Sequence, residues 1–157
     1  MSNDLKSKAT QPFSGDCLFC KIATGSLAAA IVYEDEAVIA FLDIHPLFPG
    51  HVLLCPRAHY STFTDVPPDL VEPLFRKGQL LTQAVETALE AEGTFLAINN
   101  RVSQTVPHLH MHIVPRRRRD GLKGFFWPRH KYESEQAMEA ARSAIEQEAR
   151  IILKSEV

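Results

Sequence analysis

Apolar residues along this chain recur with two different periods, one of two residues and one of three to four, and the periods separate strands from helices. Ile31 to Tyr33 and Val38 to Leu42 are β-rich runs on either side of the acidic "EDEA", which predicts a tight hairpin. "HVLLCP" is a third strand, introduced by the turn signal Pro49-Gly50, and "TFLAIN" is a fourth. "HLHMHIV", residues 108–114, alternates polar and apolar positions. As a fifth strand it points His108, His110 and His112 to one side at intervals of about 6.5 to 7 Å, and Leu109, Met111 and Ile113 to the other.

Helical spacing governs two longer stretches. Leu70, Val71, Leu74, Phe75, Gly78, Leu81, Val85 and Leu89 recur at three and four, which predicts a helix of about five turns. Its start is open. Pro67 and Pro68 suit a first turn, whereas Pro73 disturbs a helix already under way, and Asp69 with Glu72 fits a start nearer residue 70. "CLFCKIATG" predicts a short helix or turn. A terminal helix from Ser134 to about Leu153 presents Ala137, Ala140, Ala141, Ala144, Ile145, Ile151 and Ile152 as its apolar positions. Residues 1–15 show no periodic pattern and read as a flexible tail, leaving 16–157 as a single domain that includes the terminal helix. Hairpin, strand, helix and two closing strands predict an α+β fold, an antiparallel sheet of about five strands with packed helices.

Composition excludes several classes of function. With 157 residues, 45% hydrophobic content and 23% charge, the chain suits one folded domain with a real core. Seventeen basic against nineteen acidic residues give a net charge of −2, so no global basic field recruits nucleic acid. Arg116 to Arg119 is the one basic run, readable equally as a solvated loop or as a phosphate-attracting rim. No stretch approaches the roughly 20 apolar residues of a membrane span, and the polar opening has no signal-peptide core, so a cytoplasmic protein without membrane contact is expected. Cys17 and Cys20 form a C-x-x-C, which favours metal or redox chemistry over a structural disulfide, while Cys55 reads as core.

The string "HLHMHIVPR", with "SQTVP" before it and "FLDIHPLFPGH" and "AINN" upstream, resembles the histidine-triad nucleotide-binding and hydrolase family. That family's motif is His-φ-His-φ-His-φ-φ, and Leu109, Met111, Ile113 and Val114 fill every apolar position. The resemblance runs from about Cys17 to Arg129 and implies a sheet continued across a homodimer. It makes His110 the nucleophile, which suits a neutral imidazole near pH 7, whose bond to phosphorus is labile enough for water to break. Attack on an α-phosphate gives a nucleotidyl-histidine intermediate. By resemblance the surrounding donors are His112, His51, Asn99 (or Asn100), Gln104 and Thr105, with Asp43 on the ribose hydroxyls and Phe19, Ile22, Phe41 and Ile44 around a purine base.

In zinc-containing members two early cysteines, a histidine after the third strand and the first triad histidine bind the metal, here Cys17, Cys20, His59 and His108. Four nitrogen and sulfur ligands make a closed, structural site. No organic cofactor is implied. The expected activity is hydrolysis of adenosine nucleotides at the α-phosphate, with dinucleoside polyphosphates as substrates, for which "QTV" and the "PR" after the triad speak. Thr105 keeps an adenosine phosphoramidase open, and a nucleotide-binding regulatory module with little turnover is a further alternative. A catalytic metal shared by the three histidines and repair of adenylated nucleic-acid ends are two others, the latter resting only on the arginine run. Phe125, Phe126 and Trp127 either frame the substrate's second half or pack at the dimer.

Overall fold

The computed structural model describes residues 15–122 and 131–155, and the side chains among them up to residue 147. The chain divides into two compact units, Met1–Asp120 and Gly121–Val157. The first contains helix α1 (Leu18–Ala23), strands β1 (Ile31–Glu34), β2 (Val38–Leu42) and β3 (Val52–Pro56), helix α2 (Pro68–Ala88), and strands β4 (Gly93–Ile98) and β5 (Met111–Arg116). The second contains α3 (Glu135–Ser155). The expected tail lies outside the described residues except for Gly15, as do Phe125, Phe126 and Trp127. The histidine triad, the four expected metal ligands and the residues expected around base, ribose and α-phosphate belong to the first unit.

The five strands form one antiparallel sheet in the order β1-β2-β3-β5-β4, as the α+β reading requires. Register sorts the side chains onto two faces. Ala40, Leu54, Met111 and Ile98 stand opposite one another on the first face, and Phe41, Leu53, His112 and Ala97 on the second. Helix α2 covers the first face with Leu74, Leu81 and Val85, closing a core that includes Val38, Leu109 and Ile113. Gly78 lets it come close: a Cβ there would meet Met111 Sδ at 2.8 Å. Helix α1 covers part of the second face with Phe19 and Ile22, over Ile39, Phe41, Leu53 and Cys55.

One open boundary is decided and one differs from expectation. Helix α2 starts at Pro68, the first of the two alternatives, a favoured first-turn position whose fixed φ is already helical, and it runs through Pro73, which is half-buried. Strand β5 starts at Met111 rather than His108. The ladder stops because its next partners are unavailable: Pro56 has no N–H, and the Leu109 N–H donates instead to the Tyr60 carbonyl at 2.6 Å. Helix α3 falls where a terminal helix is expected and is capped by Ser134, whose Oγ accepts the Ala137 N–H at 3.1 Å. Among the described residues no helix is long and apolar enough to cross a membrane.

Candidate active site and metal centre

Where β5 begins, the chain delivers three histidines to the second face within a few residues. The His110 and His112 ring centroids are 4.8 Å apart, closer than flat strand spacing because His110 stands in the lead-in and not in the ladder. His108 and His110 are buried, and His112 is half-buried.

Hydrogen bonds to the backbone fix which ring nitrogen of each carries a proton. The Pro56 carbonyl lies 2.8 Å from His108 Nε2, and a carbonyl only accepts, so His108 is protonated on Nε2 and its Nδ1 lone pair is free. That lone pair faces Cys17 Sγ at 3.4 Å and Cys20 Sγ at 3.5 Å. His59 also turns Nδ1 to the thiols, 3.3 Å from Cys20 Sγ, with Nε2 3.4 Å from Ser61 Oγ, a hydroxyl that can donate or accept. Donor atoms of Cys17, Cys20, His59 and His108 all lie within 4.8 Å of one another. A tetrahedral zinc ion with ordinary bond lengths separates sulfur from nitrogen by about 3.6 Å, close to the three sulfur–nitrogen distances just given, so the donor set suits the metal.

His110 has the opposite tautomer. Its Nδ1 lies 2.7 Å from the His108 carbonyl and must donate, which leaves the lone pair on Nε2. Burial holds its pKa below the usual histidine value, so the ring is neutral and nucleophilic at neutral pH. Phe19 packs edge-on against it at 5.1 Å, and Phe41 against Phe19 at 5.2 Å.

His112 completes a relay from the β2–β3 connection. The Leu47 N–H donates to His51 Nδ1 at 3.3 Å, so His51 carries its proton on Nε2 and donates to His112 Nδ1 at 3.0 Å. His112 is therefore protonated on Nε2, a buried donor that finds no partner among the described residues. Burial and the neighbouring His110 and His51 rings push the His112 pKa down to about 4. Burial likewise lowers that of His51, against the opposing charge of Asp43, whose Oδ2 is 3.5 Å from His51 Nδ1.

The other expected residues divide. Phe19, Ile22 and Phe41 form one buried cluster beside His110, whereas Ile44 is 82% exposed. Asp43 is half-buried, with Oδ1 accepting the His45 N–H at 2.8 Å. Asn99 Nδ2 donates to the Ser103 carbonyl at 3.2 Å. Gln104 braces the same loop from both ends of its amide, taking the Arg101 N–H at 2.9 Å and giving to the Ser61 carbonyl at 2.6 Å. Thr105 is exposed. The arginine run is spread over local partners: Arg116 pairs with Asp120, Arg117 donates to the Leu89 carbonyl at 2.6 Å, and Arg118 lies 3.6 Å from Glu92. Sequence reasoning missed Pro56, Ser61 and Leu47, which act through a backbone carbonyl, a common hydroxyl and a backbone amide and leave no mark in a residue pattern.

Comparison with known proteins agrees with this architecture. The chain is 38% identical over 109 residues to the Arabidopsis thaliana adenylylsulfatase HINT3, a match covering 68% of this chain and 55% of that protein. A HIT family protein from Bacillus subtilis superposes with a TM-score of 0.77 at 32% identity, over 84% of this chain and 96% of its own. A zinc-bound histidine triad family protein from Mycobacterium smegmatis gives 0.66 at 36% identity, over 87% and 97%. Residues 24–119, the sheet and the triad included, match the model of the HIT domain, and the chain belongs to that family.

Proposed function

We propose that this protein is a nucleotidyl-transferring hydrolase of adenosine nucleotides. The observation that carries the reading is the buried neutral His110, its Nδ1–H locked on the His108 carbonyl and its Nε2 lone pair free. His110 Nε2 attacks the α-phosphorus, and the bond from phosphorus to the leaving group breaks with its electron pair going to the leaving group. Water then attacks the same phosphorus, releases AMP and returns the electron pair to His110. The orphaned Nε2–H of His112, oriented through His51, supplies a donor to a phosphate oxygen. Phe19, Ile22 and Phe41 flank the base, Asp43 accepts from the ribose, and Asn99, Gln104 and Thr105 line the phosphate side. For Gln104 this asks its amide to leave a loop contact.

Dinucleoside polyphosphates are the proposed substrates. A second reading, adenylyl sulfate, is favoured by the name of the Arabidopsis relative. Both expel a stable anion that needs no proton, unlike the amine of an adenosine phosphoramidate. Zinc held by Cys17, Cys20, His59 and His108 supplies a cross-link between α1, the segment after β3 and the triad. The reaction uses the chain's own rings. Strand β4, at the sheet edge, suits continuation of the sheet into a homodimer.

The test is to offer diadenosine tetraphosphate, adenylyl sulfate and an adenosine phosphoramidate side by side, identify the products, and quench early for mass spectrometry. AMP as a product and a nucleotidyl group on the peptide containing His110 are expected. Turnover of none of the three, or full turnover by His110→Asn, would overturn the reading.

A further inference from the structure

A departing polyphosphate or sulfate carries its charge away from the α-phosphate, beyond the reach of neutral histidines, and its loss is eased by a fixed cation. Arginine and lysine side chains in the first unit are mostly committed. Arg57 donates to the Asp35 and Ala23 carbonyls, Arg76 pairs with Glu72, Lys77 with Asp35, and Arg116 to Arg118 with the partners described above. Three remain without a side-chain partner among the described residues: Lys21, Arg101 and Arg119. Lys21 stands on α1 directly after the thiol of Cys20. Arg119 lies past the far end of β5, which runs about 17 Å from Met111 to Arg116, away from His110.

Arg101 lies at the near end. The last β4–β5 pair is Ile98 with Met111, next to His110 in the chain, and Arg101 follows Ile98 within about 10 Å of chain. Its backbone is left-handed, with φ at 72°, and so is that of Ser103 at 59°, two strained positions in one short loop. The strain is held from two sides that stay in place when the Gln104 Nε2 turns to the phosphate. Gln104 Oε1 accepts the Arg101 N–H, and the neighbouring Asn100 Oδ1 accepts the Phe63 N–H at 2.9 Å. A loop braced in this way keeps an exposed arginine on the chain that leaves β4, at the end of the sheet where β5 begins.

Building on the hydrolase reading above, we infer that Arg101 is the leaving-group recognition residue, selecting substrates whose departing group is an anion. Its contribution rises with the charge of that group: absent for the neutral amine of a phosphoramidate, intermediate for sulfate, largest for a nucleoside polyphosphate.

Steady-state kinetics of wild type, Arg101→Ala and Arg101→Lys on the same three substrates test it. Arg101→Ala lowers kcat/KM about tenfold for diadenosine tetraphosphate, about threefold for adenylyl sulfate and less than about 1.5-fold for the phosphoramidate, and Arg101→Lys recovers most of the loss. A merely structural role moves all three equally, with no recovery by lysine, and that result overturns the inference. So does an unchanged rate on the polyphosphate. If wild type itself turns over none of the substrates, the hydrolase reading falls and this assignment with it. The two failures are thereby distinguishable.

Discussion

Two histidine clusters meet at the start of β5, and they use the same side chain in opposite ways. At His108 and His59 the Nδ1 atoms converge on two thiols while Nε2 is engaged by Pro56 or lies beside Ser61, giving a closed set of four ligands. At His110 the backbone takes Nδ1, and Nε2 is left to react; at His112 a neighbouring ring takes Nδ1, and Nε2–H is left to donate. What separates a ligand from a nucleophile here is the partner of the other ring nitrogen, two residues apart on one chain. The clusters share one atom of coupling, the His108 carbonyl, which belongs to a metal ligand and orients the nucleophile.

The sharpest way to break this division is a pair of single substitutions. Cys20→Ala removes a ligand from the closed cluster and is expected to abolish stoichiometric zinc and lower Tm by roughly 10 °C, with kcat of the folded protein changed less than about threefold. His110→Asn is expected to do the reverse, keeping zinc and Tm while lowering turnover by about 10³-fold or more. Metal analysis, thermal melts and kinetics on both proteins check it. Zinc loss in His110→Asn, or equal loss of turnover in both, shows that the clusters act as one.

This division was legible in the sequence only in part. The alternating run around His108 to His112 and the C-x-x-C mark the right residues, and the two periods locate the strands and helices, since each depends on identity and spacing alone. Tautomers do not. They are set by the carbonyls of Pro56 and His108 and the amide of Leu47, atoms every residue carries, brought in across as many as 52 positions. For the same reason Gln104 reads as a phosphate donor in the sequence while its amide braces a loop in the fold. The arginine run reads as a possible rim, yet most of it is consumed by Asp120, Leu89 and Glu92.

A smaller effect comes from acid. His112 titrates near 6.5 in the unfolded chain and near 4 in the folded one, because burial and the neighbouring His110 and His51 rings disfavour its charge. Between these values the unfolded state binds the proton and the folded state does not, so the stability present above about 6.5 is lost as pH falls toward about 4. His110 and His51 shift in the same direction. Melts from pH 8 to pH 4 are expected to show Tm falling through this window and falling less steeply in His112→Gln. Turnover, requiring neutral His110, persists below pH 6.5 before declining. A Tm profile of His112→Gln parallel to wild type would take this ring out of the acid response.

The smallest expected effect sharpens the comparison inside the closed cluster itself. His108 is oriented by a backbone carbonyl at 2.8 Å, a bond no side-chain substitution removes, while His59 has only the Ser61 hydroxyl at 3.4 Å. Outer partners of metal ligands contribute about 10- to 100-fold in affinity when well formed. A contact this long contributes less, so Ser61→Ala is expected to weaken zinc binding by about threefold, read by competition with a chelator. Turnover stays unchanged, because the Ser61 carbonyl that receives Gln104 is backbone and survives the substitution. A tenfold or greater loss would make Ser61 as strong an orienting group as Pro56. Reduced turnover with intact zinc affinity would show instead that the serine acts on the open cluster through the Gln104 loop, and the separation of the two clusters would fail at this residue.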